Sequence, residues 1–259
     1  MKTVIANWKM NVNVRESVAL ARGVTRGIRG KDKLPEIVLC ASAVALSEMK
    51  KILTRSRISL GAQNVHWAES GAHTGETSTR QLAEAKVSHV IVGHSERRTE
   101  MGETDVMVNQ KIKALLAAKM VPVLCVGETA EVKKKNAEAA KKYVRDQLSA
   151  ALDGVRFDRQ KPFYIAYEPI WSISTSFVKQ AKPEEIVEMH EVIRTWLDQQ
   201  YGHDATAEVH ILYGGSVNKE NVYSFLREPA IEGVLVGGAS VRLNEFMGII
   251  KTAIEINGE

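Results

Sequence analysis

The sequence predicts an α/β fold, a single-domain closed (β/α)8 barrel over residues 1–259, and three observations lead there. Short β-branched runs alternate with longer amphipathic stretches. The alternation continues from one end of the chain to the other without a linker or a break in composition, and eight such units can be counted. Eight βα units closed into a barrel usually take about 250 residues. A doubly wound open sheet built from the same units is the competing arrangement.

The strand candidates lie near residues 3–7, 36–41, 58–63, 89–93, 121–126, 163–167, 209–213 and 233–237. Most lack polar alternation, as strands of a parallel sheet buried on both faces do. Helical periodicity between them covers 15–28, 105–118, 130–152, 183–201 and 218–226, several of these opening on Asp, Thr, Asn or a first-turn Pro.

Composition sets limits on partners. The formal net charge of +4, from 35 basic against 31 acidic residues, is scattered along the chain apart from Lys133-Lys134-Lys135. That run reads as a solvated helix face, since no arginine-rich arm or nucleic-acid motif accompanies it, so nucleic acid is not an expected partner. The amino terminus turns polar after a few positions, with neither a signal-peptide core nor a membrane span, and the expected address is cytoplasmic. Cys40 and Cys125 each sit by an apolar run, outside any Cys-x-x-Cys or Cys-His cluster, and read as buried thiols with no metal or disulfide role.

A barrel gathers its chemistry at the carboxyl ends of its strands. Asn7 and Lys9 follow the first strand, an amide and a cation able to emerge together and hold an anion. Gly93-His94-Ser95-Glu96-Arg97-Arg98 ends the fourth and places His94 at the head of a short helix. The partial positive charge there disfavours imidazolium, so His94 suits a neutral electrophile better than a base. Glu168 ends the sixth strand among aromatic and apolar groups, a partly desolvated setting suited to a general base. Pro169 stiffens the next turn and can hinge a mobile loop reaching about residue 182. Tyr213-Gly214-Gly215-Ser216 and Val236-Gly237-Gly238-Ala239-Ser240 end the seventh and eighth strands, and together they read as one phosphate cradle of backbone N–H groups.

Taken in order, Asn7-Trp8-Lys9-Met10-Asn11, Gly61-Ala62-Gln63-Asn64-Val65, Gly93-His94-Ser95-Glu96-Arg97-Arg98, Cys125-Val126-Gly127-Glu128-Thr129, Ala166-Tyr167-Glu168-Pro169, Tyr213-Gly214-Gly215-Ser216 and Leu235-Val236-Gly237-Gly238-Ala239-Ser240 resemble the triosephosphate isomerase family across nearly the whole chain. The resemblance implies a TIM barrel that interconverts dihydroxyacetone phosphate and glyceraldehyde 3-phosphate without metal or organic cofactor. It assigns Glu168 as base, neutral His94 as electrophile and proton shuttle, and Lys9 and Asn7 as stabilisers of enediolate charge. Glu96, Ser95 and Cys125 support them. Ser174, Ser216, Gly237 and Gly238 would hold the phosphate of the triose substrate. Residues 63–79 resemble the projecting loop of a homodimer, with Thr74 reaching the partner's site and Glu76 pairing with Arg97 across the interface.

The chain departs from the family at three places. The usual Trp-Ala-Ile-Gly-Thr-Gly loop reads Trp171-Ser172-Ile173-Ser174-Thr175-Ser176 and runs about two residues longer. Ala41-Ser42-Ala43 stands where prolines are common, and Met101 where an aromatic residue is common. The altered loop leaves one alternative, a phosphate-binding barrel with lost or weak catalysis.

Overall fold

Eight strands form in the computed structural model of the chain, which describes residues 1–172 and 181–259. They are Thr3–Asn7 (β1), Glu36–Ala41 (β2), Ile58–Ala62 (β3), His89–Val92 (β4), Val121–Val126 (β5), Phe163–Tyr167 (β6), Val209–Tyr213 (β7) and Gly233–Val236 (β8). Each pairs in parallel with the next, and β1 closes the cylinder on β8 with Thr3 opposite Gly233 and Ala6 opposite Val236. The sheet is therefore a closed barrel and not a doubly wound open sheet. Gln63, Gly93 and Gly237, read from the sequence as last residues of strands, lie one position past the ends and already belong to the loops.

Successive side chains leave a strand on opposite faces, so each strand feeds two cores. Ile5, Val38, Cys40, Ile91, Val123 and Cys125 fill the barrel interior. Their neighbours Val4, Ala6, Ile37, Leu39, Val92 and Leu124 pack outward against the helices. Both faces are dry, which is why the strands carry no polar alternation.

Among the described residues the helices are Val14–Gly27 (α1), Leu46–Leu53 (α2), Thr79–Glu84 (α3), Ser95–Glu100 (α4), Asp105–Ala117 (α5), Ala130–Lys135 (α6), Ala137–Ala151 (α7), Pro183–Tyr201 (α8), Val222–Leu226 (α9) and Leu243–Ile256 (α10). Asn13 starts α1 with a capping box: its side chain accepts the Glu16 N–H at 3.0 Å while Glu16 accepts the Asn13 N–H at 2.8 Å. Two expected helices are shorter than their periodicity suggests. The stretch 130–152 breaks at Asn136, whose extended backbone frees its side chain to cap α7 through the Ala139 N–H at 2.8 Å. The stretch 218–226 is helical only in α9, because the Asn218 side chain accepts the Glu220 and Asn221 N–H groups at 3.0 and 2.9 Å and holds a turn instead. No described helix is long and apolar enough to cross a membrane.

His190 on α8 makes stability pH-dependent. It is buried, with Nδ1 3.0 Å from the Ala230 carbonyl and Nε2 without a hydrogen-bond partner among the described residues. Burial lowers its pKa to about 4, against the smaller opposing effect of the Ala230 carbonyl. Below about pH 6.5 the unfolded chain therefore binds a proton that the folded chain refuses, and stability falls by up to about 1.4 kcal/mol per pH unit until about pH 4. Urea unfolding at pH 7, 6 and 5 is expected to show this slope in the wild type and a flatter one in His190→Gln. An identical slope in the variant would assign the effect elsewhere.

Candidate active site

A cleft of about 490 Å³ opens at the carboxyl ends of the strands, lined by Asn7, Lys9, His94, Glu168, Ser216, Gly237 and Gly238 among others. Asn7 ends β1 and is buried, and its side-chain oxygen accepts the Lys9 N–H at 3.1 Å. Lys9 holds φ at +52°, a left-handed conformation that costs an L residue about 1 kcal/mol or more. Gln63 offsets that cost, donating through Nε2 to the carbonyls of Lys9 and Cys40 at 2.9 and 3.1 Å. The strained turn aims the Lys9 side chain back over the barrel mouth. Its Nζ lies 2.5 Å from Glu96 Oε1, with the lysine side chain 25% exposed.

His94 caps the first turn of α4: its Nδ1 accepts the Glu96 N–H at 3.2 Å. A nitrogen accepting a backbone N–H carries no proton of its own, so the neutral ring places its hydrogen on Nε2. That Nε2 lies 3.1 Å from Glu168 Oε1, while Glu168 Oε2 accepts the Ser95 N–H at 3.1 Å. Glu168 is only 2% exposed, and its own N–H is tied to the Val126 carbonyl at 2.7 Å. Burial and then the Glu168 charge push the Cys125 thiol well up, so it stays protonated beside Glu168 in the barrel interior. One carboxylate thus faces an imidazole N–H, a backbone N–H and a thiol.

The paired glycines divide their work differently from the sequence reading. A Cβ at Gly214 would sit 2.9 Å from Glu168 Cγ, and one at Gly127 would collide with the Glu168 carbonyl. Gly127 makes room for the Glu168 backbone and Gly214 for its side chain, and the Gly214 N–H is already given to the Tyr167 carbonyl at 2.8 Å, so Gly214 serves the carboxylate and has no donor left for an anion. Ser216 Oγ is engaged as a donor to the Ser172 carbonyl at 2.6 Å, leaving the backbone of residue 216 to face the cleft. A Cβ at Gly238 would meet open space, and one at Gly237 would lie 3.5 Å from Lys9 Cε. Ser174 and Ser176 lie outside the described residues.

Comparison with known proteins decides the family. The triosephosphate isomerase family model matches residues 2–253. The chain belongs to the triosephosphate isomerase family. It is 42% identical over 252 residues to the triosephosphate isomerase of Alkaliphilus metalliredigens, covering 96% of this chain and 98% of that protein. It is 39% identical over 250 residues to that of Rhodopirellula baltica, covering 96% of each. The crystal structure of triosephosphate isomerase from Bartonella henselae superposes with a TM-score of 0.85 at 35% identity, covering 97% of this chain and 98% of that one.

Within this isomerase framework a second cleft of about 370 Å³ shares Asn7, Lys9, His94 and Glu96 with the first and continues over Ser42, Gln63, Glu76 and Arg97. Thr74 and Glu76 are exposed on the loop that projects beside it. Arg97 is engaged within its own chain, its Nε 2.6 Å from Glu103 Oε2.

Three residues of this isomerase site escaped the sequence reading. Glu103, buried behind α4, accepts the Gly93 N–H at 2.9 Å and pairs with Arg97 and Lys111, each at 2.6 Å. Glu128, fully buried, accepts the Tyr167 hydroxyl at 3.0 Å and the Trp171 Nε1–H at 2.7 Å, anchoring the segment that leaves β6. It stood in a matched block without a role, because only the fold brings Trp171 to it. Arg242 lines the main cleft, and its signal was available two positions beyond Ser240.

Proposed function

We propose that the chain interconverts dihydroxyacetone phosphate and glyceraldehyde 3-phosphate, acting as one domain over residues 1–259 in the cytoplasm. The observation that carries the reading is the approach of Glu168 Oε1 to His94 Nε2 at 3.1 Å on the wall of a cleft that also holds Lys9. In the free protein the carboxylate occupies the imidazole N–H. A substrate carbonyl oxygen takes that N–H for itself, which polarises the carbonyl and releases Glu168 to take a proton from the adjacent carbon. The enediolate charge is stabilised by the Lys9 ammonium, the Asn7 amide and the His94 N–H; His94 passes the proton of the adjacent hydroxyl to the former carbonyl oxygen, and Glu168 returns its proton to the neighbouring carbon. Glu96, 2.5 Å from Lys9 Nζ, positions that ammonium. The phosphate rests against backbone groups of Ser216, Gly237 and Gly238, with Ser174 as a further contact.

A coupled assay on the purified protein tests the reading, with Glu168→Gln as the control for contaminating enzyme. Activity confined to the wild type supports it. A folded wild type without activity would leave a barrel that binds phosphate and does not turn over.

The working unit is a homodimer. Exposed apolar groups surround the second cleft: Met10 in its lining at 96% exposure, Val44 beside Ala43 at 76%, and Met101 beyond Arg97 at 65%. Large apolar side chains gathered around a groove mark a protein contact. The occupant that fits is the projecting loop of a second copy, with Thr74 at its tip and Glu76 against Arg97. Light scattering behind size-exclusion chromatography is expected to give twice the chain mass for the wild type and the chain mass for Thr74→Arg. A monomeric wild type would rule the dimer out.

A further inference from the structure

We propose that a cleft away from the catalytic one binds a compact anion of linked phosphoryl groups, a di- or triphosphate. Its volume is about 370 Å³, and its lining comes from the segment at the end of α1 and the segment after α2: Arg26 and Arg29 from the first, Arg55, Ser56 and Arg57 from the second. Both segments lead toward the amino ends of strands, β2 and β3, so the cleft belongs to the face opposite the one that holds Glu168. The two segments are far enough apart in sequence that only folding brings the four guanidinium groups together.

Their charge has no internal answer. Among the described residues none of the four arginines takes part in an ion pair, and Arg57 alone donates a side-chain hydrogen bond, to the Lys31 carbonyl. Capping of the helix ends does not account for them. Among the described residues none of the four donates to a carbonyl of either helix, and four of those end carbonyls are taken by backbone donors: Val24 by Ile28, Arg26 by Arg29, Lys50 by Thr54 and Leu53 by Ser56. Two helix carboxyl ends supply about one negative charge between them, against four positive ones in the cleft. The chain has 15 arginines and 20 lysines, yet every cation lining this cleft is arginine. The guanidinium fork matches phosphate oxygens two at a time, which an ammonium cannot do. Four forks exceed what one phosphoryl group can engage, and this favours linked phosphates over a single one.

Isothermal titration of the full-length protein at low ionic strength, with inorganic tripolyphosphate as the probe, tests the proposal. Binding is expected in the wild type, weakened at least tenfold in Arg29→Gln/Arg55→Gln, and undiminished by excess glycerol phosphate, which occupies the catalytic cleft. Both replaced side chains are exposed, so the variant is expected to keep its thermal midpoint and its isomerase kinetics. Equal affinity for ATP would show that the phosphates alone are read, and tighter binding of ATP that the ligand is a nucleotide. Three results would overturn the proposal: no binding to the wild type, unchanged binding to the folded double variant, or displacement by glycerol phosphate. Orthophosphate binding as tightly as tripolyphosphate would also overturn it.

Discussion

Replacing Glu168 by Gln is expected to lower kcat by about a thousandfold or more, within the range of general acid–base catalysis and equivalent to about 4 kcal/mol of barrier. The amide has nearly the shape of the carboxylate and can still accept one of the hydrogen bonds now given by the Ser95 and His94 N–H groups, each 3.1 Å away. It cannot accept the substrate proton. The Lys9 ammonium and the backbone around Gly237 and Gly238 are untouched, so affinity for glycerol phosphate should remain within a few-fold of the wild type. The change therefore separates chemistry from binding. Stability should move little, because removing the charge also removes the cost of burying a carboxylate that is only 2% exposed. Steady-state kinetics, binding by titration and a thermal midpoint on one preparation check all three. Unchanged kcat would take the base assignment away from Glu168, and lost phosphate binding would show that the variant disturbs the cleft as a whole.

How far such a site could be read in advance depended on whether its parts are local in the chain. The strands were legible because a parallel barrel buries both faces, and runs such as Val4 to Ala6 or Ile37 to Cys40 leave nothing polar to hide the signal. Asn7, Lys9, His94 and Glu168 were legible as polar residues at the points where those runs stop. The division of helix at Asn136 was less visible, since a residue inside a periodic stretch declares itself a cap only through a backbone angle. The role of Gly214 was misread because two contiguous glycines look alike, while the pressure on Gly214 comes from Glu168, a residue 46 positions earlier. The left-handed turn at Lys9 had no sequence signal, since lysine does not favour that conformation and Gln63 holds it from another loop. The four arginines of the second phosphate cleft were scattered charge until the ends of α1 and α2 met.

The largest loss of stability is expected at Glu103, which does not line the catalytic cleft. Glu103→Gln removes the charge that faces Lys111 Nζ at 2.6 Å, with the lysine side chain 2% exposed and the glutamate 1%. Burial pushes the Glu103 carboxyl up, but the Lys111 ammonium, the Arg97 guanidinium and the Gly93 N–H outweigh it and hold it below the usual carboxylate range. Its ionised form therefore stabilises the fold above about pH 4.3, and that contribution is lost as the pH falls through the native value. Breaking one side of such a buried pair leaves the other uncompensated and typically costs about 3–5 kcal/mol. Asn64 Oδ1, 2.7 Å from Lys111 Nζ, is a neutral acceptor and does not replace the lost charge. Two measurements distinguish this from a merely disturbed core. Glu103→Leu combined with Lys111→Met should be more stable than Glu103→Gln, since apolar replacement of both partners removes the stranded ammonium, though Arg97 and the Gly93 N–H stay short of an acceptor. The single variant should also lose some kcat, because Gly93 leads directly into His94 and its N–H is held at 2.9 Å by the carboxylate that was changed. A double variant no more stable than the single one would show that the cost lies in the Arg97 and Gly93 contacts and not in the buried lysine.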